Sequence, residues 1–205
     1  WKLGNSFGFS HALPGPSRIL THSMKNNRIA GVIGSGSNPH RSLSEPLGRF
    51  LAEKGYHLVN GGGGGVMQAV AEAFQSVKNK KGFVVGVVPS SEPCDTAEDR
   101  KHYQVPPGYP NAFTEITVRT HLHLSGSRGK KIASRNHIVV LTADFIIALP
   151  GSAGTRSEIE LALEYGKPII LLSPNGELEE FSEKATLVKT VEETKDWIHL
   201  TEVLN

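Results

Sequence analysis

The chain of 205 residues is long enough for one α/β domain with a full core and does not require a second. Its 22 Lys and Arg nearly balance its 20 Asp and Glu, and a formal charge of +2 excludes the strong basicity of a nucleic-acid or anionic-membrane binder. The single cysteine, Cys94, excludes an internal disulfide, and no apolar run approaches the ~20 residues that span a bilayer.

Residues 1–24 show neither helical nor strand periodicity and lack the apolar core of a signal peptide. They are expected to be an N-terminal extension or tail, or else an arm that packs on a partner subunit. Residues 25–205 are expected to form a single soluble, cytoplasmic domain. Ile29 to Ile33 reads as the first strand and ends in Gly34-Ser35-Gly-Ser-Asn-Pro39. A helix follows from about Leu43 to Lys54, with Leu47, Phe50 and Leu51 on one face and Gly55 as its stop. Tyr56 to Val59 is a second strand, leading into Asn60 and the run Gly61, Gly62, Gly63, Gly64 and Gly65. A helix is expected from Val66 to about Val77, a third strand over Phe83–Val88, and a long Pro-rich segment from Pro89 to Pro110. Glu115 to Val118 suits a short strand, and Lys131 to Thr142 a helix. The strand Phe145–Ala148 then feeds Pro150, Gly151, Ser152, Ala153, Gly154 and Thr155, which open a helix running to Tyr165. Gly166-Lys-Pro168 stops it, Ile169–Leu172 is a strand, and the chain ends in a strand over Ala185–Thr190 and a helix over Val191–Leu204.

Strands that alternate with helices and are apolar on both sides predict an α/β fold, a doubly wound and mostly parallel sheet with helices on both faces. Ligands of such sheets sit beyond the carboxyl ends of the strands. Gly34–Pro39, Gly61–Gly65 and Gly151–Thr155 all fall there. In the last of these, small residues, a threonine hydroxyl and the free N–H groups of a helix start make an anion site suited to phosphate. Glu158 is read into the first turn of that helix, where it either caps the helix or meets the ligand as a carboxylate.

The glycine run is not a Rossmann fingerprint, because Val66 stands where Gly-x-Gly-x-x-Gly would close. It exceeds what a tight turn needs, at a conformational cost of roughly 0.5–1 kcal/mol per residue relative to Ala, which argues for a ligand-facing role. Gly129-Lys130-Lys131 lacks the rest of a Walker A motif, and Gly151–Gly154 does not make a nucleophile elbow. Arg135 lies on the helix before the strand that feeds the phosphate loop, as a site residue or as a surface arginine. His121 and His123 would share one face of a strand, but two imidazoles without a third ligand do not make a metal site. His137 and His102 add nothing from spacing alone. Cys94 sits among Asp95, Glu98 and Asp99, whose charges disfavour a thiolate nucleophile.

Together these residues resemble the Lonely Guy family, long mislabelled as possible lysine decarboxylases, and within it the branch of molybdenum-cofactor carrier-like proteins. The family's hallmark Pro-Gly-Gly-x-Gly-Thr-x-x-Glu is matched by Pro150-Gly-Ser-Ala-Gly-Thr-Arg-Ser-Glu158. Its glycine-rich loop ending in Gly-Val/Leu-Met is matched by Gly61 to Met67, and its catalytic arginine by Arg135. The resemblance covers about Arg28 to Leu172. It implies a modified Rossmann fold, usually a homodimer or higher homo-oligomer, that binds a nucleoside 5′-monophosphate such as AMP or a related phosphorylated ligand. In family enzymes the Arg and Glu pair, here Arg135 and Glu158, cleaves the N-glycosidic bond to a base and ribose 5-phosphate, without a cofactor or metal.

The chain departs from the hydrolase pattern at Asn136, which replaces a lysine, at Val139, which replaces a methionine, and at Ser152, which replaces a glycine. Ser134-Arg-Asn136 and the stretch from Leu161 to Pro168 also resemble the carrier-like proteins. Three readings stand: a phosphoribohydrolase, a non-catalytic carrier with the molybdenum cofactor as cargo, and a nucleotide sensor. Nothing resembles a pyridoxal-binding lysine site, nor do nucleic acid or membrane enter as partners.

Overall fold

The structure, a computed structural model, describes residues 28–203, so the expected extension at 1–24 and the last helix's expected end at Leu204 lie outside the described residues. In chain order the elements are β1 (Ile29–Ile33), α1 (Arg41–Glu53), β2 (His57–Asn60), α2 (Val66–Gln75), β3 (Val84–Val88), α3 (Ala97–Lys101), β4 (Ile116–Arg119), α4 (Asn136–Thr142), β5 (Phe145–Ala148), α5 (Ala153–Glu164), β6 (Ile169–Leu172), β7 (Thr186–Val188) and α6 (Val191–Val203). The seven strands form one sheet in the order β4-β3-β2-β1-β5-β6-β7. Every neighbouring pair is parallel, which makes the fold α/β and Rossmann-like.

A parallel sheet covered on both faces sends alternate side chains into two apolar layers. Ala30 and Val32 of β1 and Phe145 and Ile147 of β5 pack with Leu51 of α1, Phe74 of α2 and Ile198 of α6. Their neighbours Ile33, Ile146 and Ala148 pack on the other side with Val139 and Val140 of α4 and Ile159 and Ala162 of α5. Each such Leu, Ile or Phe contributes about 1.5–3 kcal/mol by leaving water.

From β1 the chain winds outward to β4, then crosses back to β5 and winds outward the other way. The reversal falls between β1 and β5, at whose carboxyl ends the ligands of such sheets sit.

Among the elements the sequence reading needs four corrections. The helix expected from Lys131 begins only at Asn136. Before it, Ser134 N–H donates to the Lys131 carbonyl at 2.9 Å and Leu124 N–H to Ala133 at 3.0 Å, so these backbone groups serve a turn and an isolated bridge. Arg135 therefore stands at the N-cap position of α4, without a side-chain cap, and not at an interior position. The Pro-rich segment holds a short helix, α3, opened by a capping box in which Thr96 Oγ1 accepts from Asp99 N–H at 3.1 Å and the Asp99 carboxylate accepts from Thr96 N–H at 2.8 Å. His121 and His123 follow β4 outside any strand. The last strand is shorter than Ala185–Thr190, spanning only Thr186–Val188.

Candidate functional site

Three loops meet at the carboxyl ends of β1, β2 and β5. Leu149 N–H continues the sheet by donating to the Ile33 carbonyl at 2.9 Å, and Ser35 N–H then donates to the Pro150 carbonyl at 3.0 Å. The Ser35 carbonyl accepts from Val66 N–H at 2.9 Å, which ties the start of α2 to the β1 loop. Ser35 Oγ accepts from the N–H groups of Ser37 and Asn38 at 3.2 and 2.9 Å and so turns the chain toward α1. Gly34, Ser35, the run Gly61–Gly65, Met67, Pro150, Gly151, Ser152, Ala153, Gly154 and Thr155 all fall in this cluster or in the first turns of α2 and α5.

The glycine run is shaped by contact as much as by freedom. Gly65 has φ +59°, and a Cβ there would stand 2.2 Å from the Ser35 carbonyl oxygen. A Cβ on Gly61 would stand 2.3 Å from Arg135 Nη2, so the bare backbone at 61 makes room for the guanidinium. Asn60, at the end of β2, accepts from Gly62 N–H at 2.8 Å and donates to the Met67 carbonyl at 3.2 Å, bracing both ends of the run.

Arg135 and Glu158 are only 5% and 8% exposed, although both are ionisable. Arg135 Nη1 stands 3.6 Å from Glu158 Oε1 and donates at 2.8 Å to Asn136 Oδ1, while its buried Nε has no hydrogen-bond partner. A buried guanidinium N–H without a partner is costly, as expected of a group kept ready for a ligand acceptor. Glu158 lies in the second turn of α5, not the first, and it caps nothing. Burial pushes its carboxyl up from 4.5 to about 7, and Arg135 draws it back only in part. The carboxyl thus keeps its proton longer in the fold than in the open chain. The associated stability is complete below pH 4.5 and is lost as pH rises through about 7.

The start of α5 is open to an anion. Ser152 stands at its N-cap without making a side-chain cap, and no acidic residue occupies the first turn. Arg156, inside the hallmark, is committed elsewhere: it donates to Glu180 at 2.6 Å and to the Gly151 carbonyl at 3.0 Å. That clamp fixes the loop's carbonyl and leaves Arg156 a scaffold residue.

Three residues of the cluster escaped the sequence reading as site residues: Asn111, Tyr109 and Asn60. Asn111 N–H donates to the Gly62 carbonyl at 2.7 Å and its amide to the Gly63 carbonyl at 2.8 Å. This clamp lays Tyr109 beside Gly63, whose Cβ would stand 2.9 Å from both the Tyr109 ring and Met67 Cε. Asn60 had a legible signal, an Asx residue directly before a glycine run. Asn111 and Tyr109 had none, because their partners lie some fifty residues upstream.

The SLOG cluster4 family model matches residues 27–202. The chain belongs to the SLOG cluster4 family. Its Lonely Guy character, with a likeness to the molybdenum-cofactor carrier-like branch, is supported by the relatives as well. The chain is 34% identical over 146 residues to an uncharacterized protein of Archaeoglobus fulgidus, an alignment covering 70% of this chain and 79% of that one. It is 28% identical over 167 residues to a probable cytokinin riboside 5′-monophosphate phosphoribohydrolase of Oryza sativa subsp. japonica, covering 76% of this chain and 62% of the rice protein. The molybdenum cofactor binding protein of Rippkaea orientalis superposes with a TM-score of 0.66 at 25% identity, over 88% of this chain and 99% of that one. The family match extends beyond Leu172 to include β7 and most of α6. Among the described residues no helix is long and apolar enough to cross a membrane.

Proposed function

We propose that this SLOG cluster4 protein binds a nucleoside 5′-monophosphate and hydrolyses its N-glycosidic bond to free base and ribose 5-phosphate. The observation that carries the reading is the buried Arg135–Glu158 pair beside an uncapped helix start, with a carboxyl that titrates near neutrality. In this reading the 5′-phosphate sits on Gly151–Thr155 and the N-terminus of α5, a contact worth about 1–2 kcal/mol in a partly buried site. Glu158, ionised, takes a proton from the attacking water as the water oxygen bonds to C1′. The C1′–N bond breaks, its electron pair leaves with the base nitrogen, and that nitrogen takes up a proton from solvent. A carboxylate close to an oxocarbenium-like sugar also stabilises its positive charge. Arg135 offers its unpaired Nε to a sugar hydroxyl or phosphate oxygen. The rice relative's name supports this reaction class. The same reading takes the active form to be a cytoplasmic homodimer.

A second reading, a carrier that holds the molybdenum cofactor without turnover, draws on the Rippkaea orientalis structure and on Asn136 in place of a lysine. One assay separates them. Purified protein is incubated with AMP and other nucleoside monophosphates, and free base is followed by chromatography beside Glu158→Gln. The hydrolase requires base release by the wild type and at least ~100-fold less from the variant, with nucleotide binding retained. Equal turnover by both proteins sinks the assignment of Glu158. Binding without release, together with a pterin co-purifying with the protein, selects the carrier.

A further inference from the structure

Asn136 meets Arg135 in a way that neither reading of the family explains. Its Oδ1 accepts from Arg135 Nη1 at 2.8 Å, and that same nitrogen stands 3.6 Å from Glu158 Oε1, beyond hydrogen-bond reach. The carboxamide orientation is fixed by chemistry, because a guanidinium only donates and must face the oxygen. It is also fixed by packing. Asn136 is 3% exposed, its Nδ2 lies where a Cβ on Gly129 would approach to 2.5 Å, and its N–H donates to Ser134 Oγ at 3.2 Å. The turn carrying Gly129 is itself held down, with Ser157 Oγ donating to the Gly126 carbonyl at 2.9 Å and Lys130 bridging Glu160 and Glu164. The guanidinium also lies against Gly61, where a Cβ would stand 2.3 Å from Nη2 and 2.7 Å from Nη1. Asn136 therefore grips one fork of Arg135 from a rigid seat.

We propose that Asn136 is a positioning residue that holds Arg135 short of a closed salt bridge with Glu158, leaving the carboxylate free to exchange its proton. The inference deepens the proposed function and rests on Glu158 being the titrating group of that site. Without the amide oxygen, Nη1 needs to move by less than an ångström, from its present 3.6 Å, to bond Glu158. A closed, charge-assisted bond favours the ionised carboxyl and lowers its proton affinity. The neighbouring charges are engaged elsewhere or exposed. Lys130 pairs with Glu160 and Glu164, Arg156 with Glu180, and His137 bonds Tyr165 and the Lys130 carbonyl, while Arg128 and Lys131 face solvent.

The test is a pair of opposed substitutions, Asn136→Ala and Asn136→Asp, each made with and without Glu158→Gln. Urea unfolding of ligand-free protein from pH 4 to 9 gives the stability difference between each protein and its Glu158→Gln partner, and the midpoint of that difference reports the titration of Glu158. Asn136→Ala is expected to lower the midpoint by at least one pH unit, about tenfold in proton affinity. Asn136→Asp, which binds the guanidinium more tightly and sets a second carboxylate beside the first, is expected to raise it. Shifts in the same direction, or an unmoved midpoint, overturn the proposal. Should the Ala variant fail to fold, the nearly isosteric Asp variant decides alone, by rising or not. No nucleotide enters this measurement, so a protein that turns over no nucleotide refutes the function above by a separate assay. Normal turnover with an unmoved midpoint refutes only the role of Asn136.

Discussion

Gly61 and Gly154 belong to two glycine motifs, yet they answer to different demands. A Cβ on Gly61 would enter the space of Arg135, 2.3 Å from Nη2 and 2.6 Å from Cζ. Around Gly154 the nearest atom to such a Cβ is 3.7 Å away, ordinary contact for a residue in the first turn of α5. Gly61→Ala is therefore expected to displace a buried guanidinium, costing about 1–3 kcal/mol by urea unfolding and at least ~100-fold in turnover. Gly154→Ala is expected to raise ligand-free stability by about 0.5–1 kcal/mol through helix propensity, while weakening AMP in a titration if the phosphate packs on that surface as proposed. A Gly154→Ala protein that binds AMP unchanged removes Gly154 from the site. At this scale the sequence showed which residues gather, through the order of Gly61–Met67, Arg135 and Pro150–Glu158. It did not show that Gly61 shelters Arg135, since that contact joins residues more than seventy positions apart. Nor did it show that Glu158 is buried in the second turn of α5.

Among the elements, the informative departures lie between β3 and α4. Proline content hid α3, although Thr96-x-x-Asp99 carries a capping signal that could have been read. The late start of α4 was not readable, because it depends on Leu124 and Ala133 pairing across a turn. The segment after Pro106 is pinned to the glycine run by Asn111, 7% exposed, through its N–H and its amide, while its Oδ1 braces its own turn by accepting from Phe113 N–H at 3.0 Å. Asn111→Ala removes the two side-chain bonds and strands the buried Gly63 carbonyl, for an expected loss of about 1–3 kcal/mol. Hydrogen exchange should then quicken across 109–114 and 61–65 together. Faster exchange confined to 109–114 would mean that the glycine run stands without this clamp.

Over the whole molecule, strand and helix alternation was legible because the central strands β1, β5 and β6 are apolar on both faces. The strand order was not, since pairing of β1 with β5 joins segments 115 residues apart by contacts such as Asp144 Oδ2 accepting from Ile29 N–H at 2.7 Å. That pairing sets the consequence of ligand binding for the entire fold. The glycine run hangs from the β1–β4 side of the sheet and the α5 start from the β5–β7 side, with Ser35 bonded to both through Val66 and Pro150. A nucleotide bound there as proposed would bridge the two halves and stabilise the native chain as one unit. At a hundred times its Kd, AMP is expected to add about 2.7 kcal/mol, which for a chain of this size raises Tm by roughly 5–10 °C. Adenosine, which lacks the phosphate, should shift Tm far less if the α5 terminus supplies the anchoring contact. An equal shift from adenosine would move the binding energy away from Gly151–Thr155. Thermal unfolding with AMP, adenosine and ribose 5-phosphate in parallel therefore measures which end of the ligand joins the two halves of the sheet.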